Sequence, residues 1–198
     1  MTTQHKPVVV FALLLALIGT AYAGYQTSGK AEKSGTSTTT ANGEKPHTAT
    51  MALPAKTNNA WDLPPIILQG LDGKQHNLAD WKGQVIMLNF WASWCAPCQY
   101  EIKDFISYQE KYAPKGLQII GLGLDEEPKL QNASRTLSVN YPVLISDPAN
   151  SDALLEAWGN PQRIVPYTVV IARDGRIAYI HRGQLDPETF NEFVVPLI

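Results

Sequence analysis

One stretch constrains this chain more than any other. Val85 to Trp91, apolar but for Asn89, runs within four residues into Cys95-Ala96-Pro97-Cys98. A continuous apolar run of that length fits a strand covered on both faces, as in the middle of a layered α/β sheet. Pro97 then stands where a helix accepts proline in its first turn, and Ile102, Phe105, Ile106 and Tyr108-Gln109 continue with helical spacing toward Tyr112. The two cysteines therefore sit at a strand-to-helix junction, spaced so that their sulfurs can meet across one turn.

The flanking sequence supplies the rest of a sheet. Ile66-Ile67-Leu68 and Lys74 to Asn77 surround Asp72-Gly73, which predicts a small N-terminal hairpin. Leu117 to Leu124 reads as a second buried strand, Lys129 to Leu137 as a helix, and Pro142 to Ile145 as a short extended segment. That order, βαβαβ, implies a mainly parallel arrangement. Ser151 can cap a helix running to Trp158, and Thr168 to Ala172 pairs with Ile177 to His181 across the turn Asp174-Gly175. Asp186-Pro187 opens a last helix carrying Phe190, Phe193 and Val194 on one side.

The thiols themselves invite a chemical reading. With only 2 cysteines in 198 residues the chain is no disulfide-stapled scaffold. At a helix N-terminus the first thiolate meets unpaired backbone N–H groups and the positive end of the dipole, so Cys95 is the expected nucleophile. Cys98, one turn inward, is expected to be shielded and to resolve a mixed disulfide. A structural bridge would close too small a loop to constrain the unfolded chain much. No metal is expected, since His76 and His181 are not at ligand spacing from the cysteines. Ala92 stands three residues before Cys95, where a peroxidatic cysteine would want a hydroxyl.

Upstream, His5 and Lys6 precede the apolar run Val8 to Ile18, and Ala21-Tyr22-Ala23 reads as a cleavage site, so residues 1–23 are expected to be a signal peptide or a membrane anchor. The uncharged stretch from Pro7 to Ala23 is slightly shorter than the roughly 20 residues that span a bilayer. Residues 24–59, rich in Gly, Ser, Thr, Lys and Ala, are expected to be a flexible linker, leaving 60–198 as one folded domain. A net charge of -2 gives no reason to expect a nucleic-acid partner.

Asn89-Phe90-Trp91-Ala92-Ser93-Trp94-Cys95-Ala96-Pro97-Cys98 resembles the active-site segment of thioredoxin-like proteins of the TlpA and ResA type. Glu101, three residues after the second cysteine, Val165-Pro166 before a strand, and Arg173-Asp174-Gly175 after it extend the likeness over roughly Leu63 to Ile198. The resemblance implies a thioredoxin fold: a central mixed sheet flanked by helices, with an N-terminal hairpin and an inserted βα element between Leu117 and Ile145. It implies an extracytoplasmic, often membrane-tethered reductase of protein thiols, including those of apocytochromes c, needing no bound cofactor and recharged by a membrane donor of reducing equivalents.

It also implies site residues. Glu101 would hold or relay the proton of Cys98, in place of the buried aspartate that plain thioredoxin has where this chain has Asn89. Val165-Pro166 resembles the cis-proline loop that pairs with an extended substrate. Trp94 and Pro97 are expected on the substrate surface and Trp91 in the core. Tyr167 departs from the usual threonine and is expected to alter the groove, and Asp125-Glu126-Glu127 reads as a solvated loop. The dipeptide Ala96-Pro97 does not settle the direction of exchange. An oxidant, or a binding module or haem-pathway chaperone using the same groove without turnover, stays open.

Overall fold

The computed structural model describes residues 61–198, so the expected signal or anchor (1–23) and the linker (24–59) lie outside the described residues. Strand β1 (Ile67–Gln69) pairs antiparallel with β2 (Gln75–Asn77) as the expected hairpin. Its turn places Gly73 at φ 77, a backbone conformation that glycine adopts without a Cβ clash. Strand β3 (Val85–Trp91) follows, every residue of it buried. Helix α1 (Ala96–Tyr112) carries the chain back to β4 (Leu117–Gly123), and α2 (Glu127–Leu137) to β5 (Val143–Ile145). Both crossovers produce parallel neighbours. After α3 (Pro148–Ala157), β6 (Tyr167–Ile171) joins β3 from the other side, antiparallel, and β7 (Ile177–Arg182) pairs antiparallel with β6. Helix α4 (Pro187–Phe193) closes the fold. The sheet order is β5-β4-β3-β6-β7, so the strand that leads to the cysteines lies at its centre.

Strand periodicity divides the interior in two. Val85, Met87 and Trp91 of β3 point to one side, where Ile102 and Phe105 of α1, Leu130 of α2, and Phe190 of α4 cover them. Ile86, Leu88 and Phe90 point to the other, against Leu155 and Trp158 at the end of α3 and against Tyr167, Val169 and Ile171 of β6. Each large apolar side chain buried this way contributes about 1.5–3 kcal/mol relative to exposure. Close approach is built in at Gly123, where a Cβ would lie 2.5 Å from Leu130 Cδ1 of α2.

Two local expectations need correction. Ser151 does not cap α3. The helix starts earlier, with the Asp147 carboxylate accepting from the Ala149 N–H and Pro148 in the first turn, while the Ser151 hydroxyl bonds back to the Asp147 carbonyl inside the helix. Phe193 does not share the buried side of α4 with Phe190 and Val194. It remains 39% exposed and stacks on Tyr179 of β7 with ring centroids 4.2 Å apart.

Arg173, from the Arg-Asp-Gly turn, proves structural. Its guanidinium donates to the carbonyls of Gly83, Lys115 and Ile198 at 3.2, 2.7 and 2.7 Å, joining the approach to β3, the approach to β4 and the C-terminal residue.

Candidate active site

Trp91 ends β3, and residues 92–95 make the turn that becomes α1. The Cys95 N–H donates to the Ala92 carbonyl at 3.1 Å, and Cys95 is the N-cap of the helix. Its Sγ accepts from the Cys98 backbone N–H at 3.3 Å, one of the donors that a helix start leaves unpaired. Cys95 and Cys98 are joined as a disulfide, with Cα atoms 5.3 Å apart. Cys98 is fully buried and Cys95 retains 4% exposure, so what accessibility the pair has belongs to the first sulfur. Trp94, 70% exposed, stands beside it with Ala96 and Pro97 also at the surface, while Trp91 is buried as expected.

The turn is held from behind. The Gln99 side-chain amide donates to the Ser93 carbonyl at 2.7 Å, and the Ser93 hydroxyl donates to Asp125 at the end of β4. Burial tends to raise the Asp125 carboxyl, but the Ser93 hydroxyl, the Glu126 backbone N–H and the Lys129 ammonium outweigh it and hold the group below its ordinary value. Asp125 is thus a buried anchor, and only Glu126 and Glu127 of the acidic run are solvated. A cleft of about 280 Å³ opens next to Ser93 and Gln99, with Lys129, Asn132 and Thr136 of α2 on its far wall. A larger one, about 380 Å³, lies between the hairpin and α2 around His76, Arg135 and Tyr141 and takes in neither cysteine.

Beneath the pair lies a carboxyl. Glu101, one turn along α1 from Cys98, is fully buried on the same side of the sheet. Its Oε1 accepts from the Asn89 side-chain amide at 2.8 Å and its Oε2 from the Leu185 backbone N–H at 2.8 Å. Loss of water pushes the Glu101 carboxyl up to about 8 although both donors favour the ionised form, and Asp104 on its own helix adds to the rise. The Asn89 amide donates its second hydrogen to the Thr168 hydroxyl at 3.0 Å, across the register pair that joins β3 to β6. Asn89 therefore replaces an acid with a donor that orients one.

Val165-Pro166 is a cis peptide bond. Because Tyr167 pairs with Phe90, Pro166 arrives level with Trp91 and Val165 packs on the apolar cluster that contains both cysteines. The preceding loop is braced by Asn160, fully buried, whose amide accepts from the Ile164 N–H at 3.1 Å and donates to its carbonyl at 2.7 Å. Tyr167 departs from expectation: its ring lies on the opposite face of the sheet, hydroxyl donating to the Trp158 carbonyl at 2.8 Å, and it shapes no groove.

Thr168, Leu185, Ser93, Asp125 and Asn160 are functional neighbours that sequence reasoning missed. Thr168 becomes visible once strand register is known, whereas Leu185, Ser93, Asp125 and Asn160 lie in loops whose contacts no local pattern in the sequence announces.

A disulfide at the start of the helix that follows the central strand, beside the Val165-Pro166 loop, is a group capable of thiol-disulfide exchange. The chain matches the Redoxin family over residues 49–194 and belongs to it. It is 28% identical over 134 residues to the thiol-disulfide oxidoreductase ResA of Bacillus thuringiensis subsp. konkukian, covering 67% of this chain and 75% of that one. ResA of Bacillus subtilis is 25% identical over 134 residues, covering 67% and 72%. Among solved structures, a thiol:disulfide interchange protein of the thioredoxin family from Chlorobium tepidum superposes with TM-score 0.62 at 26% identity, covering 72% of this chain and 99% of that one. A secreted thiol-disulfide isomerase from Corynebacterium glutamicum gives TM-score 0.62 at 27% identity, covering 68% and 84%. The chain is a thiol-disulfide oxidoreductase of thioredoxin-like fold, of the type these relatives represent.

Proposed function

We propose that this oxidoreductase works outside the cytoplasm as a reductase, cleaving disulfides of exported proteins such as apocytochromes c. In its dithiol form the Cys95 thiolate attacks one sulfur of the substrate disulfide, and the other leaves as a thiolate that takes up a proton. Cys98 then gives its proton to Glu101, in those molecules whose carboxyl is ionised, and attacks the Cys95 sulfur of the mixed disulfide, whose substrate sulfur leaves as a thiolate and takes up a proton from water. Substrate departs with two thiols and the chain keeps the Cys95–Cys98 disulfide, to be reduced again by a membrane donor of two electrons. Trp94, Pro97 and the backbone of Val165-Pro166 would receive the extended substrate segment.

The observation that carries this reading is the Cys95–Cys98 disulfide at the start of α1, its first sulfur alone retaining exposure, with Glu101 buried one turn beyond and its carboxyl pushed up to about 8. That value is close to the ordinary thiol range near 8.5, and transfer between groups of matched affinity is the efficient case. Residues 1–23 would export the chain or anchor it in the inner membrane, 24–59 would give it reach, and 60–198 would be the catalytic domain. Among the described residues no helix is long and apolar enough to cross a membrane.

Direction is tested by the reduction potential of the Cys95/Cys98 pair, equilibrated against glutathione and dithiothreitol buffers. A value near about -270 mV, like thioredoxin's, supports the reductase. One near about -120 mV makes the chain a disulfide donor. Cys95→Ser should abolish exchange, whereas full biological activity of that variant would point to a groove used without turnover.

A further inference from the structure

We infer that His181 is a positioning residue for Glu101, acting through the single peptide group that joins Gln184 to Leu185. His181 Nε2 lies 3.0 Å from the Gln184 carbonyl oxygen, and the N–H of that same peptide, on Leu185, donates to Glu101 Oε2 at 2.8 Å. A carbonyl oxygen only accepts, so Nε2 carries the hydrogen. In the neutral ring Nδ1 is then the acceptor, 3.2 Å from the Tyr179 hydroxyl that donates to it.

The arrangement is a relay of polarisation and not of protons. A donor on the carbonyl draws electron density from the peptide nitrogen and strengthens its N–H as a donor, the cooperativity of linked hydrogen bonds. His181 is half-buried, whereas Glu101 is fully buried, so a group at the surface biases one that water does not reach. The strands agree with this placement: His181 is the register partner of Thr168, whose hydroxyl accepts from Asn89, the other donor to Glu101. Both carboxyl oxygens are therefore served from one corner of the sheet.

Other groups meet these two. Glu101 faces Asn89 of β3, Leu185 after β7, Asp104 of its own helix, and Tyr141 ahead of β5, whose hydroxyl is held high by burial and by Glu101. His181 faces Tyr179 on its own strand, the Gln184 carbonyl, and the Asp186 carboxylate that caps α4. Replacing His181 by Gln leaves a hydrogen-bond donor in place of the ring, and replacing it by Phe leaves none.

The consequence for catalysis rests on the reading of Glu101 as the acceptor of the Cys98 proton, but the coupling does not, and it is measured without turnover. In the full oxidised chain the Glu101 carboxyl is titrated by ¹³C NMR in the wild type, His181→Gln and His181→Phe. We expect the Glu101 midpoint to rise by about half a pH unit in His181→Phe and to stay within about 0.2 in His181→Gln, the pattern of a lost donor to the charged form. Equal midpoints in all three, or the same displacement in Gln and Phe, overturn the inference. Should His181→Phe not fold, the reciprocal experiment decides. The His181 ring ¹⁵N resonances should show a step at the Glu101 midpoint, near pH 8, that disappears in Glu101→Gln. A step that persists in that variant, or none in the wild type, overturns it. Should Glu101→Gln keep the exchange rate and pH profile of the wild type while the coupling is present in the wild type, the reading of Glu101 as proton acceptor fails and the inference about His181 stands.

Discussion

The two faces of the central sheet are built from the same strands, one residue out of phase, and they do different work. On one side Ile86, Leu88 and Phe90 meet Val169, Ile171 and Trp158. The one large polar group there, the Tyr167 hydroxyl, is tied to the Trp158 carbonyl. On the other side the same two strands supply Asn89 and Thr168, which, with Leu185, hold the buried carboxyl of Glu101 beneath the cysteines. A single step along β3, from Phe90 to Asn89, crosses from packing to chemistry. The first face is apolar packing; the second keeps one ionisable group in a place that costs stability and makes it responsive.

The sharpest way to break that division is to damage each face and see whether the effects stay separate. Phe90→Ala should cost about 3–5 kcal/mol in denaturant unfolding, as large-to-small core changes do, while the pH profile of exchange in the folded protein keeps its shape. A changed profile would mean that the faces are not independent.

Glu101→Gln should act in the opposite manner. The carboxyl titrates about 8 in the folded chain against an ordinary 4.5, so below about 4.5 both states hold the proton and between those values only the folded state does. Stability contributed by this group is therefore fully present at low pH, declines as pH rises toward 8, and levels off above it, at a slope of up to about 1.4 kcal/mol per pH unit. The Gln variant should gain on the wild type across that window by a few kcal/mol, measured by urea unfolding of the oxidised form. A constant difference from pH 5 to 9 would remove Glu101 from the account.

Smaller effects sharpen the comparison. Thr168→Val leaves one hydrogen of the buried Asn89 amide without an acceptor and should cost about 1–3 kcal/mol. On the other face Tyr167→Phe loses a single neutral hydrogen bond and should cost about 1 kcal/mol. Only the Thr168 change is expected to move the Glu101 midpoint. Smallest in stability is Trp94→Ala, within about 0.5 kcal/mol for a surface position. Its expected effect is slower exchange with a protein disulfide and unchanged exchange with a small-molecule one, read by stopped-flow fluorescence.

Much of this was legible in the residues. The buried run Val85–Trp91, the proline inside the first turn of α1 and the turn pairs Asp72-Gly73 and Asp174-Gly175 carry local rules that tertiary structure did not override. The cysteine pair could be placed for the same reason. What stayed hidden needed register. Nothing in the spacing of Asn89 and Thr168, 79 residues apart, announces that they are opposite each other across β3 and β6. Asp125 was misread because acidic runs at strand ends are usually solvated, and only the position of Ser93 shows why the first of the three is not. Ser151 lost the cap to Asp147 because an Asp-Pro start, the same device that opens α4, lay four residues upstream.

The fold also sets an order of events. A polypeptide is made from its N-terminus, so Cys95, Cys98 and Glu101 exist before any residue of β6, β7 or the loop after them. The groups that finish the site, Thr168, Leu185 and the Val165-Pro166 bend, arrive some seventy to ninety residues later. Until then the growing chain lacks the Leu185 N–H that holds one oxygen of the Glu101 carboxyl and the Thr168 hydroxyl that holds the Asn89 amide on the other. The buried setting of Glu101 is therefore completed last, when the C-terminal edge of the sheet closes.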